Sequence, residues 1–168
     1  MDQSIINFKV YEDSVEYVGM AQATLPDLTA LTQSISGAGI AGNVEAVILG
    51  HFDAMTLGLN FRTVTAQSVK LSDRRHTIDL RVAQQDEDVV AGEVVVRAVK
   101  HIFVVIPKSD KGGTVAPASP SNGSGEYAVR YWATYIDGKK VREIDPLNFK
   151  CEINGVDYLA PVRTALGM

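Results

Sequence analysis

Two dipeptides constrain this chain more than any other feature. Asp137-Gly138 separates the runs Tyr127 to Ile136 and Val141 to Ile144. Asn154-Gly155 separates Lys150 to Ile153 from Val156 to Tyr158. A two-residue type I′ turn needs positive φ at both central positions, and Asp-Gly and Asn-Gly supply it. Each pair therefore predicts an antiparallel hairpin, and the C-terminal third must be meandering β-sheet.

The rest of the chain reads in the same key. Ile6 to Tyr11, Val15 to Ala23 and the alternating stretch around Leu28, Ala30 and Thr32 are strand signals, with Glu12-Asp13-Ser14 as a turn. Val44 to Leu49 is a short apolar run. Met55 to Val64 alternates Met55, Leu57, Leu59 and Phe61 against Thr56, Gly58, Asn60 and Arg62, the pattern of a half-buried strand. His76 to Gln84 alternates again. Asp86-Glu87-Asp88 reads as an acidic turn, and Glu93 to Ile106 as a long β-branched strand stopped by Pro107.

Helix is expected in two short places. Thr65 is an N-cap for a two-turn helix to Leu71. Leu159, Val162 and Leu166 suggest an amphipathic helix within Asp157 to Leu166, with Pro161 in its first turn and Gly167 as its stop. Residues 108–126 hold four Gly, four Ser and two Pro, and predict a flexible loop within one domain spanning 1–168.

Composition excludes several function classes. The chain has 168 residues, enough for one core without disulfide or metal staples. A net charge of −4 argues against gripping nucleic acid or an anionic membrane. The single cysteine, Cys151, allows no intramolecular disulfide. Met1-Asp2-Gln3-Ser4-Ile5 lacks the basic and apolar regions of a signal peptide. No run of about 20 apolar residues predicts a membrane-spanning helix.

Catalytic and cofactor motifs fare poorly. Gly37-Ala38-Gly39-Ile40-Ala41-Gly42 matches the dinucleotide fingerprint in spelling. That chemistry needs a helix next, to meet the pyrophosphate, and an acidic residue about 20 positions on. A β-branched run follows instead, and Asn60 and Arg62 stand at that distance. A Gly-rich turn between strands is the better reading. His51, His76 and His101 have no metal-ligand spacing, no Gly-x-Ser-x-Gly elbow exists, and no carboxylate pair stands out. We expect no catalytic residue, no metal and no cofactor. Tyr127, Tyr131 and Tyr135 are placed by strict alternation on one strand face with Val129 and Ala133, and Trp132 on the other. They read as core or subunit interface, because no basic stripe accompanies them for base stacking.

The segment Tyr135-Ile136-Asp137-Gly138-Lys139-Lys140-Val141-Arg142-Glu143-Ile144-Asp145-Pro146-Leu147-Asn148, followed by Ile153 to Ala160 and Arg163 to Gly167, resembles the ending of major tail tube proteins of contractile-tailed bacteriophages and R-type bacteriocins. Asn7-Phe8, Tyr17-Val18-Gly19, Thr24 to Leu28 and the Gly-rich turn before Val44 agree more loosely. The 108–126 loop departs from the pattern. The resemblance implies a mainly β protomer, a β-sandwich or partial barrel with one short internal helix and a short C-terminal helix. It further implies a non-enzymatic structural subunit of the virion tail or a phage-tail-like particle, assembled in the host cytoplasm. Six protomers would form a ring, rings would stack into the inner tube, and DNA, or ions in a bacteriocin, would pass without specific binding. Implied partners are the sheath protein, baseplate or tube-initiator proteins and a tail terminator. Acidic lumen walls let phosphate-bearing cargo slide, and Asp79, Asp86, Glu87 and Asp88 are candidates for them. The rivals are the tube of a bacterial contractile secretion apparatus, and a small β-barrel ligand-binding protein or enzyme using the Gly37–Gly42 turn.

Overall fold

The computed structural model describes residues 1–12, 14–16 and 19–168. The expected turn at Asp13 and the strand residues Tyr17 and Val18 lie outside them. Twelve strands and two helices follow in the described residues. The first six strands are β1 (Asp2–Glu12), β2 (Val15–Glu16), β3 (Met20–Thr24), β4 (Ala30–Ile35), β5 (Val44–Phe52) and β6 (Met55–Phe61). Helix α1 (Ala66–Lys70) leads to β7 (His76–Asp88), β8 (Glu93–Lys111), β9 (Gly123–Ile136), β10 (Lys139–Asp145), β11 (Lys150–Ile153) and β12 (Val156–Asp157), and α2 (Ala160–Ala165) closes the chain.

Ten strands form one sheet in the order β12-β11-β10-β9-β8-β7-β1-β2, with β6 and then β3 branching from β9. Every pairing is antiparallel. Strands β4 and β5 form a separate two-stranded sheet.

Strand β9 is the hub. Its first half, Gly123 to Val129, pairs with β6, and its second half, Trp132 to Ile136, pairs with β10 on the same edge. On the other edge it pairs with β8 along its length. The branch lets β6 face β7 and β8 across one core: Met55, Leu57, Leu59 and Phe61 meet Ile78, Leu80, Phe103, Val105, Trp132, Ile144 and Val10. The Met55–Phe61 alternation is realised residue by residue.

The register of β9 corrects the tyrosine reading. Val104 pairs with Tyr131 but Val105 pairs with Val129, so Arg130 is an extra residue. Such a bulge reverses which side chains face inward beyond it. Tyr127 and Val129 are buried before it and Trp132 and Thr134 after it, and Trp132 stacks on Phe103 at 5.5 Å. Tyr131 and Tyr135 are carried to the opposite face.

Three boundaries also move. Asp86-Glu87-Asp88 is not a turn: all three are paired in β7, opposite Val95, Val94 and Glu93. The turn falls at 89–92, where Gly92 takes φ +69° and Asp88 accepts hydrogen bonds from the N–H groups of Val90 and Ala91. Pro107 does not end β8. Pairing to β7 stops at Val105, so no β7 partner awaits a proline N–H, and a second irregularity at Lys108 absorbs the ring before pairing resumes at Ser109. Consequently Lys108 to Lys111 and Gly123 to Glu126 are strand, and the loop contracts from 108–126 to 112–122.

The helix expectations hold in outline. Thr65 caps α1, accepting from the Ser68 N–H while Ser68 Oγ accepts from the Thr65 N–H. Helix α2 docks through Leu159, its buried N-cap residue, and Leu166 stays exposed, so the full apolar stripe is not realised.

Candidate assembly surfaces

Among the described residues no group of three His, Cys, Asp or Glu side chains is placed to hold a metal ion, and no helix is long and apolar enough to cross a membrane. His101 is a core residue. Trp132 Nε1 donates to His101 Nδ1 at 3.3 Å, and Nδ1 lies 3.0 Å from Thr134 Oγ1, which accepts from Arg142. Burial, reinforced by the Arg142 charge, lowers the His101 pKa to about 4. The Gly37–Gly42 segment is the turn between β4 and β5, and the chain continues into strand, not helix. Nothing approaches within 4 Å of a Cβ built on Gly37, Gly39 or Gly42, so no built cradle surrounds the turn.

What the molecule presents instead is unsatisfied sheet. Strands β1, β7 and β8 extend past the core as a three-stranded arm. Ile5 is 64% exposed, Val94 59%, Val96 62% and Val90 at the tip 98%. The β4–β5 hairpin likewise exposes Leu31, Ile35, Val44, Val47 and Leu49. Solitary apolar side chains on a surface are ordinary, but contiguous ones on both faces of projecting hairpins mark contact surfaces. Sequence inspection did not single these residues out; Val89-Val90 within the 89–92 turn and the run Val94-Val95-Val96 just after it were the available signal.

The four acidic candidates do not gather. On β7, Asp79 and Glu87 share the face away from the core. Asp86 and Asp88 share the other, since side chains alternate. Asp86 is buried, with Arg97 Nε at 2.8 Å from Oδ2. Asp79 faces Arg81 at 3.1 Å and Lys100 at 3.7 Å. Glu87 accepts from Gln3 Nε2 at 2.6 Å. The outward face continues across the sheet: Arg81 lies over the Tyr11 ring, Lys100 over Tyr135, and Glu143 binds Lys140 and Lys150 at 2.6 and 2.7 Å. Burial works against ionising Glu143, yet the two lysines prevail and lower its pKa.

The C-terminal motif acquires a physical account. Asp137 and Gly138 take φ +49° and +80°, and Asn154 and Gly155 take +51° and +83°, as type I′ turns require. Asp145 accepts from the Asn148 backbone N–H at 3.2 Å and from Asn148 Nδ2 at 2.7 Å, closing the turn that follows β10. Asp157 accepts from Arg163 at 2.5 Å and from the Leu159 N–H at 3.1 Å, which fixes α2 against β11 and β12. Arg163 also donates to the Phe149 carbonyl at 2.7 Å.

A family profile for phage tail tube protein FII matches residues 2–167. The chain belongs to that family. As a phage tail tube protein it is a structural tail component, and the mainly β fold agrees. Among solved structures, the chain is similar to the sheath/tube terminator of an extracellular contractile injection system, PVC, in its extended state. The two share 10% identity with a TM-score of 0.51, over 77% of this chain and 94% of that one, a likeness of fold. A search of curated proteins found no match.

Proposed function

We propose that this tail tube protein assembles into hexameric rings that stack into the inner tube of a contractile tail. The tube is then a passive conduit for DNA, or for ions in a bacteriocin-type particle. The observation that carries the reading is the projecting β1–β7–β8 arm, whose apolar side chains are exposed on both faces and need neighbours to cover them. Membership of the tail tube family supplies the context. Sheath, initiator and terminator proteins are its expected partners, and the host cytoplasm its place of assembly. The whole chain acts as one domain without catalytic chemistry.

If the main sheet lines the conduit, its outward face is the wall, because the other face is committed to the core. Asp79 and Glu87 then face the lumen, whereas Asp86 is withdrawn by Arg97. Cations on that face are matched by carboxylates, as Arg81 and Lys100 are by Asp79 and Lys140 and Lys150 by Glu143. Matched charge leaves little counterion-release drive for phosphate to adhere.

Electron microscopy of purified protein, alone and with its tail partners, tests the assembly. Six-fold rings or tubes are expected. A protein that stays monomeric at high concentration and with those partners present refutes the reading.

A further inference from the structure

We infer that a recess on the outward face of the main sheet, between Arg75 and Arg130, binds phosphate groups of the DNA backbone. The choice of DNA as the source of phosphate rests on the tube reading. The site itself belongs to the single chain.

The recess has a volume of about 250 Å3, and Arg75, Val104, Arg130, Tyr131 and Asp145 line it. It lies on the outward face, because the bulge carries Tyr131 there and Val104 stands beside Tyr131 in the register. Asp145 reaches the same face from β10, two residues beyond Glu143. Regular alternation would set Arg130 and Tyr131 on opposite faces. The bulge lets both line one recess, which is a recurrent use of bulges beside working sites. Arg75 arrives from the turn before β7, and both arginines are exposed.

Charge separates this recess from the rest of the face. Lys9, Arg81, Lys100, Lys140 and Lys150 each have a carboxylate oxygen at 3.3, 3.1, 3.7, 2.6 and 2.7 Å. Among the described residues, Arg75 and Arg130 have no carboxylate within 4.0 Å. The Asp145 carboxylate is present, but its two oxygens accept from Asn148 at 3.2 and 2.7 Å. Two guanidinium charges against one carboxylate leave the recess at +1.

A guanidinium presents paired N–H donors that match a phosphate, and an unmatched one gains from counterion release on binding it. The wall offers no competing anion of its own, since Asp79, Glu87 and Glu143 are held within the protomer. The polyanion in the conduit supplies one. Repeated around a ring, the recesses form a belt of unmatched cations on an otherwise balanced wall. The hold at each is weak and blind to base sequence, so the cargo is centred without being stopped.

Nuclear magnetic resonance of the arginine Nε–Hε signals tests this on the full chain. Sodium phosphate, a short DNA duplex and a polyglutamate peptide are added separately at constant ionic strength. Phosphate and duplex should both shift Arg75 and Arg130 first. Arg81 and Arg97, which have carboxylate partners, should stay in place. Arg75→Gln and Arg130→Gln should keep the wild-type circular dichroism, and each should reduce the slope of log affinity for the duplex against log salt by about one. Duplex shifts spread equally over Arg81 and Arg97, or a salt slope unchanged in both folded variants, overturn the site. Shifts with phosphate but not duplex overturn DNA as its source. Shifts with polyglutamate alone overturn phosphate in favour of an acidic protein partner. If a variant does not fold, the wild-type shifts decide. All of these outcomes leave the tube reading standing. A chain that binds the duplex at the two arginines yet forms no ring retains the site and loses the conduit.

Discussion

Asp137 closes the end of a strand it does not belong to: its backbone N–H and its Oδ1 together satisfy both backbone groups of Ala98. The same residue sits at φ +49°, where Asn and Asp are tolerated and Ala is strained. The two duties separate by substitution. Asp137→Asn keeps both and should unfold close to wild type. Asp137→Gly keeps the turn and loses the acceptor. Asp137→Ala loses the acceptor and adds strain, and should cost about 2 kcal/mol in denaturant unfolding. An order other than Asn, Gly, Ala would show that Asp137 does not cap β8.

His101 makes stability depend on pH in a defined window. Its pKa is about 4 when folded, against an ordinary value of 6.5. As pH falls, the unfolded chain takes up this proton first. The contribution is therefore complete above about 6.5, declines between 6.5 and 4, and has no further slope below 4. Allowing for residual solvent contact, the loss is on the order of 2 kcal/mol. His101→Phe should flatten the slope of unfolding free energy in that window, whatever its effect at neutral pH. Glu143 acts lower: its depressed pKa contributes stability that is lost as pH falls through the carboxylate range. An unchanged slope between pH 6.5 and 4 in the His101 variant would refute the assignment.

Gly50 is where the β4–β5 hairpin meets the C-terminal helix. A Cβ built there lies 2.6 Å from both Cγ and Cδ2 of Leu159, and the backbone is at φ +66°. Leu159 is itself buried, so it has little room to yield. Gly50→Ala should cost roughly 2–3 kcal/mol by thermal unfolding, from strain plus overpacking. Adding Leu159→Ala to it should recover part of the loss, because the clash partner is gone. Additive losses in the double variant would mean that the contact does not form.

The parts legible in sequence were those set by local chemistry. Asp137-Gly138 and Asn154-Gly155 carry their turn type in two residues, Thr65 carries its cap, and Met55 to Phe61 carries its burial in its alternation. The illegible parts were non-local. Arg130 has nothing in its own composition to announce a bulge; it is extra only in the register against β8, close to where β9 changes partner from β6 to β10 on its other edge. Asp86 to Asp88 resembled a turn by composition, yet the cross-strand partners Val95, Val94 and Glu93 hold them in sheet. That is why four scattered carboxylates could be proposed as one wall and then prove to lie on two faces.

The contracted loop carries the last prediction. Gly/Ser/Pro composition predicts mobility over 108–126, but Lys108 to Lys111 and Gly123 to Glu126 are held by strand pairing. The loop is also pinned at its base: the Thr114 N–H donates to the Ser121 carbonyl at 2.8 Å, and the Ser121 N–H to the Arg62 carbonyl at 2.8 Å. Between those bonds Val115 is almost wholly exposed. Local opening follows from few buried contacts and solvent-exposed backbone. Amide hydrogen exchange on the monomer should therefore be fast from Val115 to Ser119. It should be slower by at least tenfold at Thr114 and Ser121, and slowest at Ile102 to Val105. Uniformly fast exchange from Lys108 to Glu126 would restore the wider mobile segment, and protection at Val115 would show that the loop packs against the body.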